Sequence, residues 1–218
     1  MTITTTTLTR AAAGAAVAAG LIFVGVQVGH PHLDVDSIGT TELVVRNSLK
    51  LLMATLALAG LAGLYLSQLR KNGLLGLIGY VILSLSYLSI VGTEILAAYV
   101  LPTLTATNPG YVRDFIAAST GGQVVGDIGL LQTVLQFQGF AYLAGGLLLG
   151  IALFRARVLA RWATVLLAVG GLVSAALSFT PDAIYRLLAY PNGIAMIGLG
   201  YSLWRTTSSL RQPVPVTA

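Results

Sequence analysis

Glu94 is an acid set deep inside the apolar run 74–101, and no other acid in the chain is so placed. A carboxylate at the centre of a spanning helix costs roughly 2.5 to 3.5 kcal/mol on insertion scales, so it normally faces a bundle interior, a cavity or a partner charge. Tyr80, Ser84 and Tyr87 precede it at helical spacing, which puts all four on one stripe. Its distance from Leu101 places it roughly 10 Å below that end of the helix at the usual rise. Gln132 and Gln136 share one face of the next apolar run, with Gln138 turned away, and their depth below Asp127 matches that of Glu94. Tyr190 and Asn192 flank Pro191, whose missing N–H leaves a backbone carbonyl free for a polar partner. Gln27 and Lys50 fall at comparable depth. These positions predict a polar, aromatic-walled pocket, with Glu94 as the catalytic candidate and Tyr87, Gln132, Gln136, Tyr190 and Asn192 binding the substrate. The plainer alternative pairs Glu94 with Lys50 or Arg46 and leaves the amides as glue between helices, each contributing about 0.6 kcal/mol.

The elements that position these residues are spanning helices. The chain has 218 residues, 56% of them hydrophobic and 9% charged, with a mean hydropathy of +0.87, which excludes a soluble domain. Six runs reach the length of roughly 20 apolar residues that a bilayer requires: 11–28, 49–67, 74–101, 128–154, 159–179 and 183–204. The first follows Arg10 and reads as a retained helix, with no clean signal-peptide cleavage site. Thr180-Pro181-Asp182 is a turn signal between the last two, and Asp182 and Arg186 form a local pair after it. The expected fold is therefore all-α: one transmembrane domain over 1–218, six helices, a disordered tail at 212–218 and a disordered Thr-rich start.

Charges set the orientation. Arg70, Lys71, Arg155, Arg157, Arg161, Arg10, Arg205 and Arg211 fall on one side; Asp34, Asp36, Glu42, Asp114, Asp127 and Asp182 sit in or beside the connections on the other. The positive-inside rule makes the first side cytoplasmic, with both termini inside, and predicts a multi-pass protein of the bacterial inner (cell) membrane. The longer outer connections include Tyr111, Phe115 and Ile116 near Arg113 and Asp114, spaced for a short amphipathic helix capping the bundle.

Other chemistries are excluded or weak. The net charge of +5 comes from cations scattered at helix ends, a topology signal that leaves no nucleic-acid partner. With no cysteine there is no disulfide, thiolate metal site or thiol nucleophile. His30 and His32 form an H-x-H pair in an outer loop, more simply solvated than metal-binding, and no metal or cofactor is expected. Asp34-Val35-Asp36-Ser37 is similar to the D-x-D-D acid motif of soluble protonation-initiated terpene cyclases, with Ser37 at its fourth position. No phosphate loop, nucleophile elbow or zinc-protease signature occurs.

The stretch Leu147-Leu148-Leu149-Gly150-Ile151-Ala152-Leu153-Phe154-Arg155-Ala156-Arg157-Val158-Leu159-Ala160-Arg161-Trp162, followed by Gly198-Leu199-Gly200-Tyr201-Ser202-Leu203-Trp204-Arg205, resembles a group of small six-helix actinobacterial membrane proteins, most without an assigned function. The size class also resembles the bacterial membrane-bound sesquiterpene cyclases of the drimentine type. That second resemblance implies an isomerase of terpenoid biosynthesis, which protonates the alkene or epoxide of a prenylated lipophilic substrate and cyclises it. Glu94 would then be the proton donor, in apolar surroundings that keep an acid neutral until use. Tyr87, Tyr99, Phe137, Phe140 and Tyr142 are the rings available to stabilise cationic intermediates. The competing expectation is a non-enzymatic membrane protein that binds a lipid or small molecule, or an accessory subunit. A transporter is disfavoured because the halves show no repeat and the inner half lacks polar residues. Oligomeric state is left open.

Overall fold

The computed structural model describes residues 3–176 and 189–209. The expected 180–182 turn, the Asp182/Arg186 pair and the tail 212–218 lie outside the described residues. Within them every regular element is helical: α1 (Thr5–Gly25), α2 (Thr41–Leu66), α3 (Leu69–Leu104), α4 (Pro109–Thr120), α5 (Leu130–Ala156), α6 (Arg161–Ala176) and α7 (Tyr190–Ser209). Four of these, α1, α2, α3 and α5, are long and apolar enough to cross a membrane.

Local chemistry moves the helix ends away from the apolar runs. α1 starts at Thr5 because the Thr4 hydroxyl accepts from the Thr7 amide, so the Thr-rich start expected to be disordered forms the first turns of a helix. Thr40 does the same for α2, accepting from Leu43, and Glu42 in the first turn faces the positive end of the helix dipole. The other pole of α1 is held by Arg46. Its guanidinium donates to the carbonyls of Val26, Val28 and Gly29 at 2.9 to 3.1 Å and bridges to Glu42 at 2.8 Å, so Arg46 satisfies carbonyls that α1 cannot.

The six long helices close a ring in which each packs on its two neighbours, in the order α1, α2, α3, α5, α6, α7 and back to α1. Neighbours run antiparallel. The two ends of the described chain meet on one side, where Arg10 donates to Ser208 at 3.1 Å and its guanidinium lies over the Trp204 ring. Small residues set the spacing. A Cβ added to Gly145 would come within 2.6 Å of Leu83 Cα, and one on Gly79 within 2.9 Å of Leu149 Cα, so α3 and α5 touch backbone to backbone. Lipid-exposed helices gain little from burying Leu against Leu, and close approach through glycine supplies the packing contact instead.

The other end of the ring is capped. The Asn108 side chain accepts from the Tyr111 amide and Pro109 opens the first turn, which starts α4; Gly121, at φ 79°, ends it in the left-handed region. Val112, Phe115 and Ile116 turn inward onto Ile38, Ala97, Leu101, Ile128 and Leu135, a second apolar cluster separate from the main core. The amphipathic spacing noted in the sequence thus becomes a packed lid. Asp114, buried on the same helix, accepts from the amides of Val125 and Gly126 at 3.0 Å each, which fastens the connection to α5 against α4.

Candidate functional site

Beneath the cap lies a cavity of about 430 Å³. Phe23 comes from α1, Val26 and Gln27 from the turn that follows it, Asn47, Lys50 and Met53 from α2, and Ile90, Thr93, Glu94 and Ala97 from α3. Leu135 and Gln138 on α5 close the far wall, while His30, His32, Leu33, Ile38, Phe115, Ser119 and Thr120 form the cap side. About half of these side chains are polar, an unusual share for a pocket set among apolar helices.

The α3 wall is shaped by a local defect. Pro102 has no N–H to return to the carbonyl four residues back and its ring crowds that carbonyl. The helix responds with a π turn over Leu96–Val100, in which the Leu101 amide bonds to Leu96, five residues back. The buried Asn47 side chain donates to the Ala97 carbonyl at 3.4 Å, and its amide oxygen accepts from Lys50 Nζ at 3.1 Å. One asparagine therefore ties the ammonium group of α2 to the widened turn that follows Glu94. π turns of this kind recur at functional sites because they redirect side chains without breaking the helix.

Glu94 itself is the exception in this wiring. Its Oε2 is buried and has no hydrogen-bond partner among the described residues. Lys50 acts on it electrostatically across the cavity, yet neither residue forms a salt bridge within 4.0 Å among the described residues. Two opposite charges at about 4 Å attract by about 4 kcal/mol at an effective dielectric constant near 20. The flexible lysine nevertheless points to Asn47. Arg46, the other partner the sequence offered, is committed to α1 and Glu42.

The structure redistributes the expected pocket. Glu94 stands in the cavity wall, and Gln27 and Lys50, noted for their depth alone, join it there. On α5 the expectation is reversed: Gln138 lines the cavity and accepts from Thr93 Oγ1 at 3.1 Å, while Gln136 is exposed and Gln132 is half-buried outside the lining. The cause is the Gly145 contact with Leu83, which turns the face carrying Leu135, Gln138 and Tyr142 toward α3 and rotates the other two amides away. Tyr87 is fully buried deeper in the bundle, edge-on to Tyr142 at 5.5 Å and outside the cavity lining. Tyr190 and Asn192 also stand outside it; Asn192 is buried and donates to the Gly170 carbonyl of α6 at 3.2 Å. Asn47, Thr93, Ser119, Thr120 and Gln138 are polar lining residues that sequence reasoning did not choose.

The remaining motifs resolve into structure. Asp34 accepts from the amides of Asp36 and Ser37 at 3.1 and 2.7 Å, an Asx turn on an exposed loop, so the sequence similar to D-x-D-D holds its own backbone rather than an alkene. Those hydrogen bonds, Ser37 first, hold its carboxyl below the ordinary aspartate value of 3.8. No group of three or more His, Asp or Glu side chains gathers to hold a metal ion among the described residues. Of the rings proposed to stabilise cations, Tyr99, Phe137 and Phe140 are 53%, 47% and 75% exposed and face away from the cavity. No family model, curated protein or solved structure matches the chain.

Proposed function

We propose that this chain is a multi-pass protein of a bacterial cell membrane, with six spans and both termini cytoplasmic, that binds a small molecule in its capped cavity from the outer side. The observation that carries this reading is Glu94 in the cavity wall, with a buried Oε2 that has no partner among the described residues, beside a Lys50 in the same lining that bonds to Asn47 instead. A structural ion pair would have closed; a site keeps both groups available. The cavity volume falls in the lower part of the range for small-molecule sites. Six spans are supported by the closed ring, which α6 and α7 complete, and the orientation by the cation-rich uncapped end.

Protonation-initiated cyclisation is the second reading, favoured by the same carboxyl, since a proton donor to an alkene must keep its acid free of competing partners. Against it stands the wall: Phe23 and Phe115 supply its phenyl rings, and about half of the lining side chains are polar where a prenyl chain needs hydrocarbon.

Native mass spectrometry of protein extracted from its own membranes tests the binding reading. Wild type carries a small molecule that the Lys50→Gln/Glu94→Gln double variant lacks; identical ligand-free spectra for both refute it. A cyclase would instead convert farnesylated or geranylgeranylated aromatic compounds to cyclic products and lose that conversion in Glu94→Gln.

A further inference from the structure

We infer that the cavity's ligand is a compact zwitterion, a molecule carrying an ammonium group and an anionic carboxylate or phosphate within a few bonds of each other. This rests on the binding reading and deepens it. Among the described residues, Glu94 on the α3 wall keeps its Oε2 buried without a hydrogen-bond partner, and Lys50 Nζ on the α2 wall makes a single hydrogen bond that leaves donors to spare. An ammonium has three donors, and Asn47 Oδ1 takes one. A simple cation would satisfy Glu94 and be repelled by Lys50, and a simple anion the reverse. A neutral polar molecule would leave two half-buried charges without counter-charges, which a site shielded from bulk water penalises. A ligand with both signs answers both, its ammonium toward α3 and its anionic group toward α2.

The geometry keeps the protein from answering its own charges. Lys50 is tethered by Asn47, and Asn47 by the carbonyl that the π turn exposes. That tether holds the ammonium on the α2 wall while Glu94 stays on the α3 wall of the same cavity. Thr93 and Gln138 bond to each other across the α3–α5 seam beside Glu94, so neither takes up its Oε2. A cavity of about 430 Å³ suits one compact zwitterion, free in solution or presented as the headgroup of a lipid such as phosphatidylethanolamine.

The test uses the full chain in nanodiscs of phosphatidylglycerol, which has no ammonium group, and reads the unfolding midpoint against added 4-aminobutyrate, phosphoethanolamine, ethanolamine and inorganic phosphate. At least one of the two zwitterions raises the midpoint in a saturable way, while ethanolamine and phosphate do not. Glu94→Gln and Lys50→Gln each weaken that response at least tenfold, and Lys50→Arg, which keeps the charge, retains it. The ligand-free midpoint of each variant, read in the same scans, confirms folding. Discs containing phosphatidylethanolamine distinguish the source: a raised midpoint with a blunted response to free zwitterion marks the headgroup, and an unchanged response marks the free solute. The inference is overturned if ethanolamine or phosphate alone matches the zwitterions, if both Gln variants respond as wild type, or if every probe is silent in both discs. Those results leave the binding reading standing wherever wild type still retains a molecule that the double variant loses.

Discussion

Adding one methyl group at the α3–α5 seam should disturb the site from a distance. Gly79 and Gly145 lie where these helices touch backbone to backbone, and a Cβ at Gly145 would stand 2.6 Å from Leu83 Cα. Ordinary carbon contacts begin near 3.5 Å, so the helices must separate by about 1 Å to admit it. Overpacking of this kind costs about 1 to 3 kcal/mol. The Thr93–Gln138 hydrogen bond spans the same seam at 3.1 Å, and a shift of that size takes it past bonding distance and removes about 1 kcal/mol more. Gly92 and Gly139 sit on the same two helices with nothing within 4 Å of an added Cβ. Alanine there should be neutral or should stabilise by about 0.5 to 1 kcal/mol through helix propensity. Unfolding free energies from dodecyl sulfate titration in mixed micelles should therefore separate Gly79→Ala and Gly145→Ala from Gly92→Ala and Gly139→Ala by at least about 1.5 kcal/mol. If all four variants behave alike, the close helix approach is refuted, and with it the reason Gln138 rather than Gln136 reaches the cavity.

Asp114→Ala removes both acceptors for Val125 and Gly126; hydrogen exchange at those amides should accelerate at least tenfold while exchange in the α3–α5 seam is unchanged, and uniform acceleration would mean Asp114 supports the whole fold. Glu94→Gln should change stability by no more than about 1 kcal/mol, because no ion pair is broken; a loss of about 3 to 5 kcal/mol in the same titration would reveal a structural pair with Lys50. Asp34 has a folded pKa below its unfolded value of 3.8, so its contribution to the loop is complete above that value and is lost as pH falls through the lower folded pKa. Amide shifts of Asp36 and Ser37, followed by NMR through that acid window, should titrate in wild type and stay flat in Asp34→Asn.

Periodicity revealed much of this architecture. The stripe through Tyr80, Ser84, Tyr87 and Glu94 does face the ring interior, and Tyr111, Phe115 and Ile116 do form a cap, because one-sided burial on a helix leaves a spacing that composition cannot hide. Helix ends were less legible: Thr4 and Thr40 extend α1 and α2 past their apolar runs through single hydroxyl contacts that hydropathy does not register. The face of α5 is easily misread because two glutamines four apart look like a pair wherever they point. The signal that could have corrected it is Gly145, two turns from Gln138 on the same face, since the smallest residue marks the side of closest approach. The π turn was hidden in a different way. Pro102 announces a defect, but whether a helix kinks, ends or widens there depends on a partner such as Asn47, which is distant in sequence and meets the freed carbonyl only in the folded ring.

If the polar cavity is reached from the outer side, as proposed, Lys50 and Gln138 must be accessible to water from that side. The chain has no cysteine, so single substitutions report without background. In intact cells, a membrane-impermeant methanethiosulfonate reagent should label Lys50→Cys and Gln138→Cys, and should leave Leu88→Cys and Phe140→Cys, on the exposed outer faces of α3 and α5, unlabelled. Labelling of the two cavity positions only in inverted membranes, or at neither face, would contradict the account.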